Sequence, residues 1–437
     1  MKHLPKVVEL RYIYPFILIT SLFFLWGIAN DLTNPMVSAF KKVMPELSNF
    51  QAALVQLAFY GGYATMAIPA ALFIRRFSYK SGILVGLALY ATGALLFYPA
   101  AAFEEYSFFL LSLYILTFGL AFLETTSNPF ILFMGDPKTA TRRLNLAQIF
   151  NPMGSLSGML IAQLFVIKVL RSAQYSPHAY DQLSAVEQAT IRTHDLSLIS
   201  GPYIALGVLV IAIFILVALS KMPKTKEHLS MPIGATFKKL FKNKRYRNGV
   251  IAQAFYVGAQ IMVWTFIFQY VDNLNEGRAP DAQLTATWYN MAAMAMFLSS
   301  RAISTYLLKY IDAGKLMFLF ALGAIVTTLG TIFIVGIGGL YCLVAISIFM
   351  SLMFPTIYGI ALEGMGEEAK IGSAGLVMAI VGGALLPPLQ GRILDIGGTG
   401  FNDVLFLGYI PEVNASFVLP LVCFVVVAWY GYQTVSE

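Results

Sequence analysis

Apolar residues run through this chain in stretches of about 20 or more, the length an α-helix needs to cross ~30 Å of hydrocarbon. Twelve such spans are predicted: 13–39, 51–75, 81–103, 107–134, 143–169, 198–220, 249–271, 283–309, 316–336, 340–362, 372–394 and 412–433. The first is too long for a secretory leader and ends without a small-residue cleavage site, so it reads as an uncleaved span. Two spans break the apolar pattern in the same way. Asp31 lies in the first and Glu124 in the fourth, and each is followed within one helical turn by an Asn-Pro pair, Asn34-Pro35 and Asn128-Pro129. A carboxylate in hydrocarbon costs roughly 2.5–3.5 kcal/mol, and a proline frees backbone groups that something must satisfy. Two such costs point to a polar site inside an all-α polytopic membrane protein.

Composition sharpens the class. Hydrophobic residues make up 58% and charged residues 12% of the 437, about half the charged share of a soluble domain. The formal net charge of +7 resides mainly in the loops, which speaks against nucleic-acid binding. Lys2, Lys6 and Arg11 precede the first span, Arg75, Arg76 and Lys80 follow the second, and Lys138, Arg142 and Arg143 precede the fifth; the alternate loops carry Glu104 and Glu105, or Asp272, Glu276 and Asp281. The positive-inside rule then puts both termini in the cytoplasm. The acidic loop after the tenth span, with Glu363, Glu367 and Glu368, does not fit that pattern.

The chain divides into an N-terminal six-span bundle, residues 1–220, a basic linker, 221–248, and a C-terminal six-span bundle, 249–437. The linker holds nine Lys and Arg against Glu227 alone. It reads either as a topology anchor between bundles or, at its basic end, as an interfacial helix on anionic lipid. Residues 170–197 are expected to form a polar, solvated extracytoplasmic loop.

Three stripes of amides and aromatics lie at helical spacing: Gln56, Tyr60 and Tyr63; Asn145, Gln148 and Asn151; and Gln253, Tyr256, Gln260 and Trp264. A sugar presents hydroxyls that donate and accept and C–H faces that pack on rings, which suits such side chains. The other reading is helix–helix hydrogen bonding. Glu124 is either a protonation site or a structural acid paired with Arg301 in the eighth span. Asp31 either binds substrate or ion or secures the break at Asn34-Pro35. His3, His178, His194 and His228 all lie outside the spans, so no intramembrane histidine relay is expected; no nucleotide-binding Gly-Lys-Ser/Thr loop is present, and Cys342 and Cys423 read as small apolar residues. No metal, cofactor or catalytic residue is expected.

Six plus six spans about a basic loop is the architecture of the major facilitator superfamily. The segment PAALFIRRFSYKSG keeps the basic residues and glycine of the superfamily's signature between spans two and three but lacks its acid. The segments FFLWGIANDL, QAALVQLAFYGGY, GLALYATGALLFYPAA, LETTSNPF and RLNLAQIFN, with AQAFYVGAQIMVW, FPTIYG and VMAIVGGALLPPLQG further on, resemble the L-fucose:proton symporter family. The resemblance implies uptake of L-fucose or a related hexose with protons, by rocking of two bundles about a central cavity. It carries the family's fourth-helix glutamate onto Glu124. The first-helix aspartate of the family falls at Asn34, and Asp31 stands where the family has Asn, one turn away. That displacement leaves sodium-coupled or uniport transport of glucose or galactose as the alternative; an enzyme acting on lipid-linked sugars fits worse, because the notable acids lie deep in spans. Expected sugar contacts are Trp26, Asn34, Gln56, Tyr60, Asn128, Gln148, Asn151, Gln260 and Trp264, with Glu124 and Asp31 coupling the proton. The expected setting is a monomer in a bacterial inner membrane.

Overall fold

The computed structural model describes residues 6–33, 36–44, 46–47, 49–175, 180, 182–223, 232–276, 278–279, 282–394, 396 and 404–436. Among them, eleven helices are long and apolar enough to cross a bilayer: Leu10–Thr33, Leu57–Arg76, Tyr79–Phe103, Tyr106–Phe133, Pro137–Val169, Ala185–Leu219, Lys244–Asn275, Ala313–Phe333, Ile337–Ala361, Ala369–Leu394 and Glu412–Val435. The twelfth, Ala286–Leu307, has 22 residues, hence about 33 Å of helix, and carries Asn290, Ser299, Ser300 and Arg301, which lower its hydropathy. The fold is therefore twelve membrane-spanning helices, six on each side of the linker, with one short hairpin pairing Leu405–Phe406 to Ile410–Pro411.

Helix starts differ most from the sequence reading, and caps explain them. The sixth helix begins at Ala185 rather than near 198, because Ser184 and Glu187 form a capping box. Much of the expected 170–197 loop is thus helix. Within it Asp195 is fully buried and accepts the backbone N–H groups of Arg171 (3.0 Å) and Ser172 (2.8 Å), which pins the remaining loop to the helix. The linker also holds structure. A ten-residue helix runs Ile233–Lys242, and Asn243 then caps the seventh span by accepting Tyr246 N–H at 3.1 Å. That span starts at Lys244, inside the segment read as linker. The first span ends at Thr33 instead of 39, and a separate helix runs Met36–Val43.

Linker and acidic loop explain each other. Lys239 pairs with Glu368 and Arg245 with Glu363, each at 2.5 Å. Two carboxylates of the acidic loop after the tenth span, Glu363 and Glu368, are thus paired with linker cations more than a hundred residues away in sequence.

Prolines set the internal breaks. A proline lacks the N–H that would bond the carbonyl four residues earlier. Pro152 thereby frees the Gln148 carbonyl, and the fifth span is interrupted between Ala140–Ala147 and Phe150–Ile161. Pro355 frees the Ser351 carbonyl, and the tenth span is interrupted between Ile337–Met350 and Met353–Ala361. Arg301, 2% exposed, takes both: Nε donates to Ser351 O at 2.5 Å and Nη1 to Gln148 O at 3.0 Å, while the guanidinium lies 4.5 Å from the Phe297 ring centre. Neighbouring bonds reinforce the two breaks. Tyr256 Oη donates to Met350 O (3.0 Å), Ser300 Oγ to Ile348 O (2.6 Å) and Asn145 Nδ2 to Thr356 Oγ1 (3.2 Å).

By packing, the chain forms two compact units, one of Leu10–Phe130 with Met153–Leu229 and one of Met1–Glu9, Ile131–Pro152 and Ser230–Glu437. Residues 131–152 therefore pack with the C-terminal spans, held there by the Arg301 and Asn145 bonds. In the first of these units the fifth helix crosses the first at the closest range: a Cβ at Gly154 would lie 1.9 Å from Phe24 O and one at Gly158 2.6 Å from Ile28 O, so only glycine fits. Tyr90 Oη donates to Leu25 O (2.9 Å), and Thr33 Oγ1 meets Tyr203 Oη (3.0 Å), whose ring stacks on Phe97 at 3.8 Å.

The arginine bridge makes a testable prediction. Arg301→Met removes the donor of Ser351 O and leaves Gln148 O only its 3.3 Å bond from Asn151 N–H; a buried carbonyl without its partner costs about 1–3 kcal/mol, so the variant should lower the thermal midpoint in detergent by several degrees. Adding Pro152→Ala returns an N–H to Gln148 O and should recover part of that loss. Strictly additive effects of the two substitutions would refute the assignment.

Candidate functional site

In the unit containing Leu10–Phe130, three helices bring the two unusual carboxylates to a pair of tyrosines. The second span carries Tyr60 and Tyr63 on one face, both buried, with Phe59 against each at 5.5 and 5.9 Å between ring centres. Tyr60 lies within electrostatic reach of Asp31 on the first span. The Tyr63 hydroxyl faces the Glu124 carboxyl on the fourth span, and Tyr60 and Tyr63 are themselves neighbours. The order in space is thus Asp31, Tyr60, Tyr63, Glu124. Asp31 is half-buried, whereas Glu124 is 8% exposed.

The first and fourth spans, which carry the two carboxylates, also hold buried polar atoms without hydrogen-bond partners among the described residues: Trp26 Nε1, Asn30 Oδ1, Glu124 Oε2, Thr125 Oγ1 and Ser127 Oγ. Native proteins leave few such atoms, and a cluster of them marks a place prepared for water or a ligand. Trp26 is held edge-on to Phe23 at 4.4 Å, which fixes the direction of its indole. Asn128 Nδ2 donates to the Glu124 carbonyl at 3.0 Å, one turn back, on a helix that runs from Tyr106 to Phe133 through Pro129. Asn34 and the side chain of Gln56 lie outside the described residues.

The other unit holds Gln148, Asn151, Gln260 and Trp264. Gln148 is buried at the end of the Ala140–Ala147 helix, with its carbonyl on Arg301. Asn151 is half-buried one turn on. Trp264 donates from Nε1 to Ser347 Oγ at 3.2 Å and packs edge-to-face on Phe297 at 5.1 Å, the ring that also faces Arg301. Its carbonyl accepts Asn290 Nδ2 at 3.4 Å. Gln260 is half-buried one turn from Trp264. Gln253, fully buried on the same helix, leaves both amide atoms without a partner among the described residues. The predicted stripe is therefore mixed: Trp264 and Tyr256 are engaged in helix contacts, while Gln253 keeps spare hydrogen-bonding capacity.

Arg301 spends its donors on proline-freed carbonyls, and Glu124 faces Tyr63. Sequence reasoning also passed over Asn30, Ser347 and Asn290. Asn30 sits next to Asp31 and one turn beyond Trp26, a spacing that was available; Ser347 and Asn290 were recognisable only from their contacts.

What the arrangement can do is bind an uncharged, hydroxyl-rich molecule against rings and amides and exchange a proton at a carboxyl group shielded from bulk water. No group of three or more His, Cys, Asp and Glu that could hold a metal occurs among the described residues.

The chain is similar to known proteins along nearly its whole length. The Major Facilitator Superfamily model matches residues 16–387. The L-fucose-proton symporter of Haemophilus influenzae is 58% identical over 98% of this chain and 98% of its own. The glucose/galactose transporter of Brucella abortus is 31% identical over 94% of this chain and 92% of its own. A crystal structure of the fucose:proton symporter of Escherichia coli superposes with a TM-score of 0.83 at 31% identity, covering 97% of this chain and 98% of that one. With twelve spans, a six-plus-six division and likeness running almost end to end, the chain belongs to the major facilitator superfamily, in the family of the L-fucose–proton symporters.

Proposed function

We propose that this protein is a secondary transporter, not an enzyme, that imports L-fucose or a closely related hexose together with protons by alternating access. The observation that carries this reading is the 58% identity to an L-fucose-proton symporter over 98% of both chains. The local chemistry supports it: a shielded carboxyl, Glu124, faces Tyr63 beside unpaired buried donors and acceptors. Glu124 carries the coupling proton and Asp31 assists it from the first span. Trp26, Tyr60, Gln148, Asn151, Gln260 and Trp264 contact the sugar, with Asn34, Gln56 and Asn128 completing the set. Residues 1–220 and 249–437 act as the two rocking bundles, joined by the linker 221–248. The protein works as a monomer in the cytoplasmic membrane of a bacterium, both termini inside, as the basic loops favour.

Sodium-coupled or uniport transport of glucose or galactose is the second reading, favoured by the displaced first-span carboxylate and by the 31% identity to a glucose/galactose transporter. Uptake of labelled L-fucose, glucose and galactose into proteoliposomes, under imposed proton or sodium gradients, separates the two. Accumulation of L-fucose driven by a proton gradient is expected; accumulation only with sodium, or only of glucose or galactose, would overturn the first reading.

Glu124→Gln keeps hydrogen-bonding capacity but cannot cycle a proton, so it should abolish gradient-driven accumulation while sugar exchange persists. Wild-type accumulation by this variant would remove Glu124 from coupling.

Asp31 is tested by exchange. If one carboxylate on that face of the first span suffices, Asp31→Asn should lose accumulation and the double variant Asp31→Asn with Asn34→Asp should regain a measurable part. Full coupled transport by Asp31→Asn alone, with a lowered thermal midpoint, would instead assign Asp31 to the helix break.

A further inference from the structure

The Ile233–Lys242 helix of the linker has two unlike faces. Thr236 and Leu240, one turn apart, are buried, with Leu240 against Gly372 at the start of the eleventh span. At 100° per residue the opposite face presents Lys238, Phe241 and Lys242 within an arc of about 100°. All three are exposed, Phe241 at 67%. The first turn of the next helix adds Lys244 and Arg247, also exposed.

Two further cations of this segment are engaged: Lys239 takes Glu368 and Arg245 takes Glu363. Those ion pairs seat the helix on the loop after the tenth span and fix which way it faces. Lys238, Lys242, Lys244 and Arg247 have no acidic partner among the described residues. An aromatic ring held out between lysines, on a helix fastened by its other side, is the arrangement of an interfacial membrane anchor: the ring enters the boundary between headgroups and acyl chains while the cations meet negative headgroups.

We propose that this face docks on anionic phospholipid headgroups of the adjacent leaflet, with Phe241 inserted at the interface and Lys238, Lys242, Lys244 and Arg247 around it. The anchor holds by charge complementarity, so it weakens as salt screens it. The docked loop continues into the tenth span, whose Ser351 and Thr356 bond Arg301 and Asn145.

The test places a reporter at the ring. Full-length Phe241→Trp protein is reconstituted into mixed phosphatidylcholine–phosphatidylglycerol vesicles in which one lipid or the other carries brominated acyl chains, and quenching is read beyond that of the native tryptophans. Brominated phosphatidylglycerol should quench the introduced indole about twofold more than brominated phosphatidylcholine at equal mole fraction, and the preference should shrink at high salt. Replacing Lys238, Lys242, Lys244 and Arg247 by Gln in the same background should abolish the preference, with sugar exchange confirming that the variant is folded. Equal quenching by the two lipids, no quenching by either, or a preference that survives neutralisation would each overturn the proposal.

Discussion

The guanidinium of Arg301 is the fixed point of the unit that contains it. In hydrocarbon every backbone group must find a partner inside the protein, and each proline in a span leaves one carbonyl without its usual donor. Two such carbonyls, Gln148 O and Ser351 O, converge on one buried arginine. Arginine suits the task because its planar fork offers several donors at fixed angles and stays charged; a lysine would present a single point. The bridge also explains why residues 131–152 pack with the C-terminal spans although they precede them by a hundred residues. Breaks in the fifth and tenth spans are tolerated because one side chain satisfies both.

The paired carboxylates follow a different logic. Buried tyrosines stand beside Asp31 and Glu124 in this arrangement. A phenol hydroxyl can donate to a carboxylate or accept from a carboxylic acid, so such a neighbour suits a group whose protonation changes during a cycle. A permanent salt bridge would hold the acid ionised and defeat that purpose. The buried unpartnered atoms of the first and fourth spans belong to the same design, since a site that waits for ligand hydroxyls must leave donors and acceptors unspent.

Charge outside the membrane is distributed with similar economy. The acidic loop after the tenth span looks anomalous beside the other basic loops, yet Arg245 and Lys239 cancel Glu363 and Glu368. Lys238, Lys242, Lys244 and Arg247 remain exposed, on the outer face of the short helix and the first turn of the next. A segment that reads as a plain connector thus combines a cap, two ion pairs and an exposed cationic face.

Much of this was legible in the sequence because a bilayer imposes a one-dimensional rule: apolar runs of a given length must be helices, and Asp31, Glu124 and the proline pairs stand out against them. Helix starts were legible in principle too, since Ser184 with Glu187 is a capping box, but hydropathy alone passes over polar residues that continue a helix beyond the apolar run. The remaining decisions were made by tertiary structure. That Arg301 would answer Pro152 and Pro355, that Tyr63 would face Glu124, and that Asn128 would turn back onto its own helix depend on contacts between residues far apart in the chain or on a choice among equivalent partners. Periodicity states which face a side chain occupies; only packing states what that face meets.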